Sequence, residues 1–260
     1  MSDAEGLRPS ERQQRIVAEV VARGSVRNEE LADRFGVSVM TVHRDLNALD
    51  LQGLLRRTRG GATVQPSALF ESSVAFRLAA NVEEKRALAR AALEHVEPGQ
   101  ALVLDDSTTG IHFARLLRDV GPASVITNFL GVFQELTGTP GIRLILLGGT
   151  YFEWAEAFMG GMTVDAIRSL SADLAILSTS AITGGRCYHQ SQDTVLFKRA
   201  MMDVAARRIL CVDHTKFERR ALHELAPLRD FDLVIVDDRT PEPVLHELRE
   251  RDIPIEIASI

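Results

Sequence analysis

The run Phe35-Gly36-Val37-Ser38-Val39-Met40-Thr41-Val42-His43-Arg44-Asp45-Leu46-Asn47-Ala48-Leu49 decides how this chain is read. Leu31, Ala32 and Phe35 close a short helix, and Gly36 can take the left-handed conformation that ends it. Ser38 then stands where a side-chain oxygen caps a second helix. On that helix Val42, Leu46 and Leu49 recur at helical spacing and predict a buried stripe, which turns Met40, Thr41, His43, Arg44 and Asn47 outward. Side chains near the N-terminus of such a helix read base edges in a major groove, with cations and hydroxyls for phosphates. An ordinary packed helical hairpin carries the same apolar stripe, so the next segment of the chain decides between them.

That segment is Gly53-Leu54-Leu55-Arg56-Arg57-Thr58-Arg59-Gly60-Gly61-Ala62-Thr63-Val64. Two short β-like runs flank a Gly-Gly turn, and Arg56, Arg57 and Arg59 sit on the first arm and at its tip. This is the composition of a wing, a hairpin that lies along a phosphate backbone. Taken together, Ser38, Thr41, Val42, His43, Arg44, Asp45 and Leu46, then Arg57, Gly60, Gly61 and Ala62, resemble the winged helix-turn-helix of the DeoR family of bacterial transcriptional regulators. That family typically reads Ser-x-x-Thr-(Ile/Val)-Arg-Arg-Asp-Leu followed by Arg-x-x-Gly-Gly-Ala. His43 replaces the first arginine of the pattern.

The chain has 260 residues and 45% hydrophobic content, enough for a sizeable core and for two domains. A net charge of −6 at first argues against nucleic acid, but the charge is unevenly placed. Residues 1–62 hold ten Lys/Arg against nine Asp/Glu, and the remainder twenty against twenty-seven. A locally basic head on an acidic body suits DNA binding through a small surface, with dimerisation onto paired half-sites supplying affinity. A homo-oligomer is therefore expected. Cys187 and Cys211 suggest no disulfide framework. The acidic N-terminus lacks an apolar signal region and no run is long enough to span a membrane, so a cytoplasmic protein is expected.

Ser10 to Gln13 has the form of a capping box before a helix with Ile16, Val17, Val20 and Val21 on one face. Asn28 is expected to cap the next helix. The expected boundaries are a winged head over 1–64, a Pro/Ser-rich linker over 65–80 and a second domain over 81–260, opened by a helix from Asn81. In that domain apolar runs at 101–104, 124–127, 143–147, 174–177, 208–212, 233–236 and 253–257 alternate with helical patterns at 110–118, 130–136, 164–170 and 193–206. Thr240 and Pro241 announce a last helix. The alternation predicts a doubly wound, mostly parallel, Rossmann-like α/β fold, with unalternating strands buried on both faces.

Ligands of such sheets bind beyond the carboxyl ends of the strands. Those positions hold Asp105-Asp106-Ser107-Thr108-Thr109-Gly110, Thr127-Asn128, Gly148-Gly149-Thr150, Ser178-Thr179-Ser180 and Asp213-His214-Thr215-Lys216. Hydroxyls and helix N-terminal amides suit a phosphate monoester, Lys216 offers a point charge, and Asp105 and Asn128 can bond sugar hydroxyls. Strand-end loops are also rich in these residues simply as turn formers. From Glu83 to Asp238 the chain resembles the DeoR sensor domain, on the matches Leu104, Asp105, Thr108 and Thr109; Thr127 and Asn128; Gly148 and Gly149; Asp213, Lys216 and Phe217. The resemblance implies a pocket for a phosphorylated sugar or polyol in a fold similar to sugar-phosphate isomerases. Ser107 replaces a glycine of the pattern, His214 and Thr215 replace serines, and Thr194 stands where a glutamate is common before Lys198 and Arg199.

Gly184-Gly185-Arg186-Cys187-Tyr188-His189-Gln190 reads as a glycine-rich loop over that pocket. Cys187 and His189 lack the partners that a metal site or a nucleophilic pair requires. Neither the dinucleotide fingerprint nor the Walker loop is present, so neither cofactor nor metal is expected. The expected function is a DNA-binding regulator, of repressor type, acting on operator DNA in carbohydrate metabolism under control of a phosphorylated effector. The alternative is a sugar-phosphate isomerase or deaminase with an accessory DNA-binding head, with Asp105 or Asp106 as general base.

Overall fold

The structure, a computed structural model, describes residues 9–51, 55–63 and 74–260. The chain divides into two compact units, Met1–Ala80 and Asn81–Ile260. Gly53, Leu54 and Val64, most of the expected linker and the side chain of Ser10 lie outside the described residues.

The first unit contains α1 (Pro9–Arg23), β1 (Ser25–Arg27), α2 (Asn28–Phe35), α3 (Val39–Leu51), β2 (Arg56–Thr58), β3 (Gly61–Thr63) and α4 (Val74–Ala79). Gly36 ends α2 with φ 61°, its N–H bonded back to Ala32 and Asp33. Ser38 caps α3, its Oγ accepting the Thr41 N–H at 3.2 Å. Ile16, Val20, Leu31, Phe35, Val42, Leu46, Leu49 and Leu55 form one core. Beside it an ion pair joins α1 to α3: Arg12 Nε donates to Asp45 Oδ2 at 2.6 Å, and Gln13 adds a bond to Asp45 Oδ1 at 3.1 Å.

The sheet is antiparallel in the order β1-β3-β2. β1, too short to leave a periodic signal, was not expected from the sequence. Its Val26 packs so close to the wing that a Cβ on Gly61 would lie 1.9 Å from the Val26 carbonyl oxygen. Asn28 is not the expected helix cap: Arg27 flanks α2, and Asn28 lies inside it and is 2% exposed. Its own N–H reaches the Gly60 carbonyl at 2.8 Å, so the wing satisfies a donor that a cap would otherwise serve.

The second unit opens with α5 (Val82–Leu93). β4 (Ala101–Leu104), β5 (Ser124–Thr127), β6 (Arg143–Leu146), β9 (Ala172–Leu177), β12 (Ala205–Val212), β14 (Leu233–Asp237) and β15 (Ile255–Ala258) form one sheet, parallel throughout, in the order β15-β14-β12-β9-β4-β5-β6. Between these strands run α6 (Thr108–Leu116), α7 (Leu130–Leu136), α8 (Gly161–Arg168), α9 (Gln192–Val204) and α10 (Glu242–Glu250). The chain winds one way from β4 to β6, then returns to lay β9 beside β4 and winds the other way. The switch point therefore lies between β4 and β9, beyond Leu104 and Leu177.

Two small antiparallel pieces were not anticipated. β7 (Thr150–Phe152) pairs with β8 (Ala157–Met159), and β10 (Ala181–Thr183), β11 (Arg186–His189) and β13 (His223–Pro227) make a three-stranded sheet. The glycine-rich loop is thus a hairpin, with Gly184 and Gly185 both at positive φ as a two-residue β-turn requires. The residues ahead of α5 and α10 serve other roles than side-chain caps. Asn81 precedes α5 in a left-handed conformation without a side-chain cap bond, and its amide donates to Asp213 Oδ1 at 3.1 Å. Pro241, not Thr240, flanks α10, and among the described residues the buried Thr240 hydroxyl has no hydrogen-bond partner. Among the described residues no helix is long and apolar enough to cross a membrane.

Candidate functional site

In the winged head, Val42 and Leu46 are fully buried, which rotates Met40, Arg44 and Asn47 to solvent while Thr41 and His43 remain half-buried. Met40 is 77% exposed. Arg44, Arg56 and Arg59 are exposed. His43 and Arg57 are placed differently. His43 Nε2 lies 2.9 Å from Asn28 Nδ2, and its Nδ1 lies 3.5 Å from Arg57 Nη2. The Arg57 guanidinium also donates to Asn47 Oδ1, and its backbone N–H donates to Asp50 Oδ1 at 3.2 Å. Ser38 Oγ and Thr41 Oγ1 lie 3.0 Å apart, so the cap binds them to one another.

In the second unit the strand ends gather around Asp105, 1% exposed. Its Oδ2 accepts from Lys198 Nζ at 2.5 Å, Ser178 N at 2.7 Å and Ser178 Oγ at 3.2 Å, and its Oδ1 accepts from Ser107 N at 3.1 Å. Lys198, equally buried, also donates to the Ser178 carbonyl at 2.9 Å and lies 3.7 Å from Asp106 Oδ1. One ion pair thus ties β4, β9 and α9 together at the switch point. Lys198 was missed in the sequence. A signal existed: it stands one turn after Thr194 and one residue after Phe197, both fully buried, on the inward face of its helix.

Ser107 caps α6, accepting the Gly110 N–H at 2.9 Å, and Thr108 and Thr109 are buried in the first turn. Thr127 Oγ1 accepts from Phe129 N at 3.1 Å. Asn128 donates through Nδ2 to the Phe158 carbonyl at 2.8 Å, while its fully buried Oδ1 has no hydrogen-bond partner among the described residues. Register puts this amide one strand away from Asp105, since Leu104 pairs with Thr127. The Gly148 carbonyl accepts from Thr163 Oγ1 at 2.9 Å, and Gly149, at φ 153°, has room for no Cβ because Thr163 Oγ1 would lie 2.1 Å away.

Lys216 lies in a short 3-10 turn, His214–Glu218, after β12. Burial would push the Asp213 carboxyl up, but the Lys216 charge, the Thr215 hydrogen bond and the charges of Arg219 and Lys85 together hold it below its ordinary value. Lys85, 6% exposed on α5, is a second cation at this end of the sheet that the sequence did not single out. The hairpin residues divide. Arg186 is engaged by Glu224 on β13, whereas the His189 ring lies 3.3 Å from Ser180 Oγ beside the β9 loop. Gly184 and Gly185 line a separate cavity of about 310 Å³ with Phe217, Leu228 and Val244. Burial pushes the Cys187 thiol up to about 12, which removes it as a nucleophile. Among the described residues no cluster of three His, Cys, Asp or Glu side chains is set to hold a metal ion.

A helix-turn-helix head with a basic hairpin, carried with a parallel α/β domain whose hydroxylic strand-end loops meet at its switch point, defines a DNA-binding protein with a sensor module. Residues 12–68 match the DeoR-like helix-turn-helix domain and residues 80–238 the DeoR C terminal sensor domain. The chain belongs to the DeoR family of transcriptional regulators. It is 32% identical over 252 residues to the glycerol-3-phosphate regulon repressor of Escherichia coli K12, covering 96% of this chain and 100% of that one. It is 32% identical over 249 residues to an Escherichia coli O157:H7 protein assigned as an aga operon transcriptional repressor, covering 95% and 93%. To the L-fucose operon activator of Haemophilus influenzae it is 31% identical over 243 residues, covering 93% and 97%. Among solved structures, ribose 5-phosphate isomerase from Methanocaldococcus jannaschii aligns with 14% identity and a TM-score of 0.39, over 53% of this chain and 55% of that one.

Proposed function

We propose that this protein is a cytoplasmic, homo-oligomeric repressor of genes for carbohydrate use, which binds operator DNA through its winged head and responds to a phosphorylated sugar or polyol. The carrying observation is the set of hydroxylic strand-end loops at the switch point of the second unit, coupled in one chain with a head whose Met40, Arg44, Arg56 and Arg59 are exposed. The names of the relatives support the substrate class: regulators of the glycerol-3-phosphate regulon and of the aga and fucose operons. In this reading the amides of Thr108 and Thr109 and the hydroxyls of Ser107, Thr108 and Thr109 receive the phosphate, helped by the Lys216 and Lys85 charges. Thr127, Asn128, Gly148 and Gly149 face the sugar.

The same geometry argues for a sensor over an enzyme. Asp105, the residue best placed to act as general base, has its carboxylate fully occupied by Lys198, Ser178 and Ser107. An effector regulates only if it binds the free and DNA-bound forms unequally. The test is fluorescence anisotropy of the full chain on duplexes from the region upstream of its own gene, titrated with glycerol 3-phosphate, hexose 6-phosphates and their unphosphorylated counterparts. Release of DNA by one phosphorylated compound, with no turnover of it, is expected. Retention of DNA under every compound, or catalytic isomerisation of one, overturns the reading.

A further inference from the structure

Met40, Arg44 and Asn47 follow one another at helical spacing and share the outward face of α3. The sequence pattern makes all three, and His43 beside them, equal candidates to read DNA. The structure separates them. Asn47 Oδ1 is taken by the Arg57 guanidinium, and the His43 ring lies between two donors, Asn28 Nδ2 at 2.9 Å from Nε2 and Arg57 Nη2 at 3.5 Å from Nδ1, one of which its single acceptor nitrogen serves. Arg57 itself is half-buried, with its Nε fully enclosed and its backbone bonded to Asp50. These bonds join the wing to the recognition helix. Met40 and Arg44 have no such bond among the described residues, and Met40 holds 77% of its surface in solvent.

We propose that sequence reading by this protein is confined to Met40 and Arg44, while Arg57, His43 and Asn47 are positioning residues that set the wing against the recognition helix. The inference rests on the DNA-binding reading above. An arginine at this place bonds guanine O6 and N7 together, and an exposed methionine covers the methyl group of a thymine, the only apolar feature of a base edge in the major groove. Four residues of helix advance by about 6 Å, roughly two base-pair steps at about 3.4 Å each. The half-site therefore holds a guanine and a thymine within about two steps of one another.

The experiment is selection of duplexes from a random library by the full-length protein and its variants, followed by affinity measurements on the winning duplex across a salt series. Arg44→Ala flattens the guanine preference by roughly tenfold or more, and Met40→Ala removes the thymine preference. Asn47→Ala and Arg57→Ala weaken all sequences alike and leave both preferences in place, and the two effects are not additive because they break one bond. His43→Gln, which keeps one donor and one acceptor, retains affinity, whereas His43→Leu behaves as Asn47→Ala. In the salt series Arg57→Ala keeps the wild-type slope. A slope lower by about 0.9 would make Arg57 a phosphate ligand instead. A base preference that moves with Asn47→Ala, or one that survives both Arg44→Ala and Met40→Ala, overturns the inference alone. If the wild type retains no duplex, the DNA-binding reading falls and takes this one with it.

Discussion

Replacing Lys198 by methionine tests whether the switch point is held by one ion pair. Lys198 and Asp105 are each 1% exposed, and the ammonium supplies the bond at 2.5 Å to Asp105 as well as one at 2.9 Å to the Ser178 carbonyl. Methionine fills similar space but leaves a carboxylate in the interior with only neutral donors. Removing one partner of a buried pair costs about 3–5 kcal/mol, chiefly through the stranded charge. For a domain of this size that lowers the melting temperature by roughly 6–20 °C. Trp154, the single tryptophan, lies in the second unit, so its fluorescence follows unfolding of that unit in the full chain. The paired variant Lys198→Met with Asp105→Asn removes the stranded Asp105 charge, leaving only Asp106 to feel the loss of the ammonium, and is expected to recover part of the loss. A loss below about 1 kcal/mol, or a double variant no more stable than the single one, would refute the mutual dependence of this pair.

His112 is buried on α6 with its Nε2 unbonded, and burial, then the charges of Arg115, Lys85 and Arg86, lower its pKa from 6.5 to about 4 against the opposing Glu135. The unfolded chain binds this proton near 6.5 and the folded chain does not until about 4, so stability falls by roughly 3 kcal/mol as pH drops through that window and is unaffected above it. Denaturant titrations from pH 7.5 to 4 should show that slope, and His112→Leu should remove its share. Arg56→Ala and Arg59→Ala should each lower the salt slope of DNA binding by about 0.9, as single phosphate contacts do; unchanged slopes would place both arms away from the backbone. Gly61→Ala forces a Cβ to within 1.9 Å of the Val26 carbonyl oxygen. DNA affinity should drop while the Trp154 transition stays in place, and an unaltered affinity would show that the pairing of wing and first strand is dispensable.

The sequence by itself determined what rests on local periodicity. The stripe of Val42, Leu46 and Leu49, the stop at Gly36 and the Ser38 cap required only neighbours within two helical turns, and the strands of the parallel sheet declared themselves as unalternating apolar runs. Their order brought the Asp105, Thr127 and Gly148 loops to one end of the sheet, where a doubly wound fold places its crevice. The strands of the small sheets, three to five residues long, carry too few apolar residues in a row to stand out as the main-sheet runs do.

Polar partners were decided only in three dimensions. Asn28 and Thr240 each looked like a helix cap, but Asn28 lies by His43 and, among the described residues, the Thr240 hydroxyl bonds to nothing. Lys198 and Asp105 stand 93 residues apart in the chain. Arg57 reads as one of three equal cations until its bond to Asn47 singles it out. A side chain's apolar burial follows from its spacing along an element, whereas a hydrogen bond needs donor and acceptor within about 3 Å. Only the packing of one element on another sets that distance.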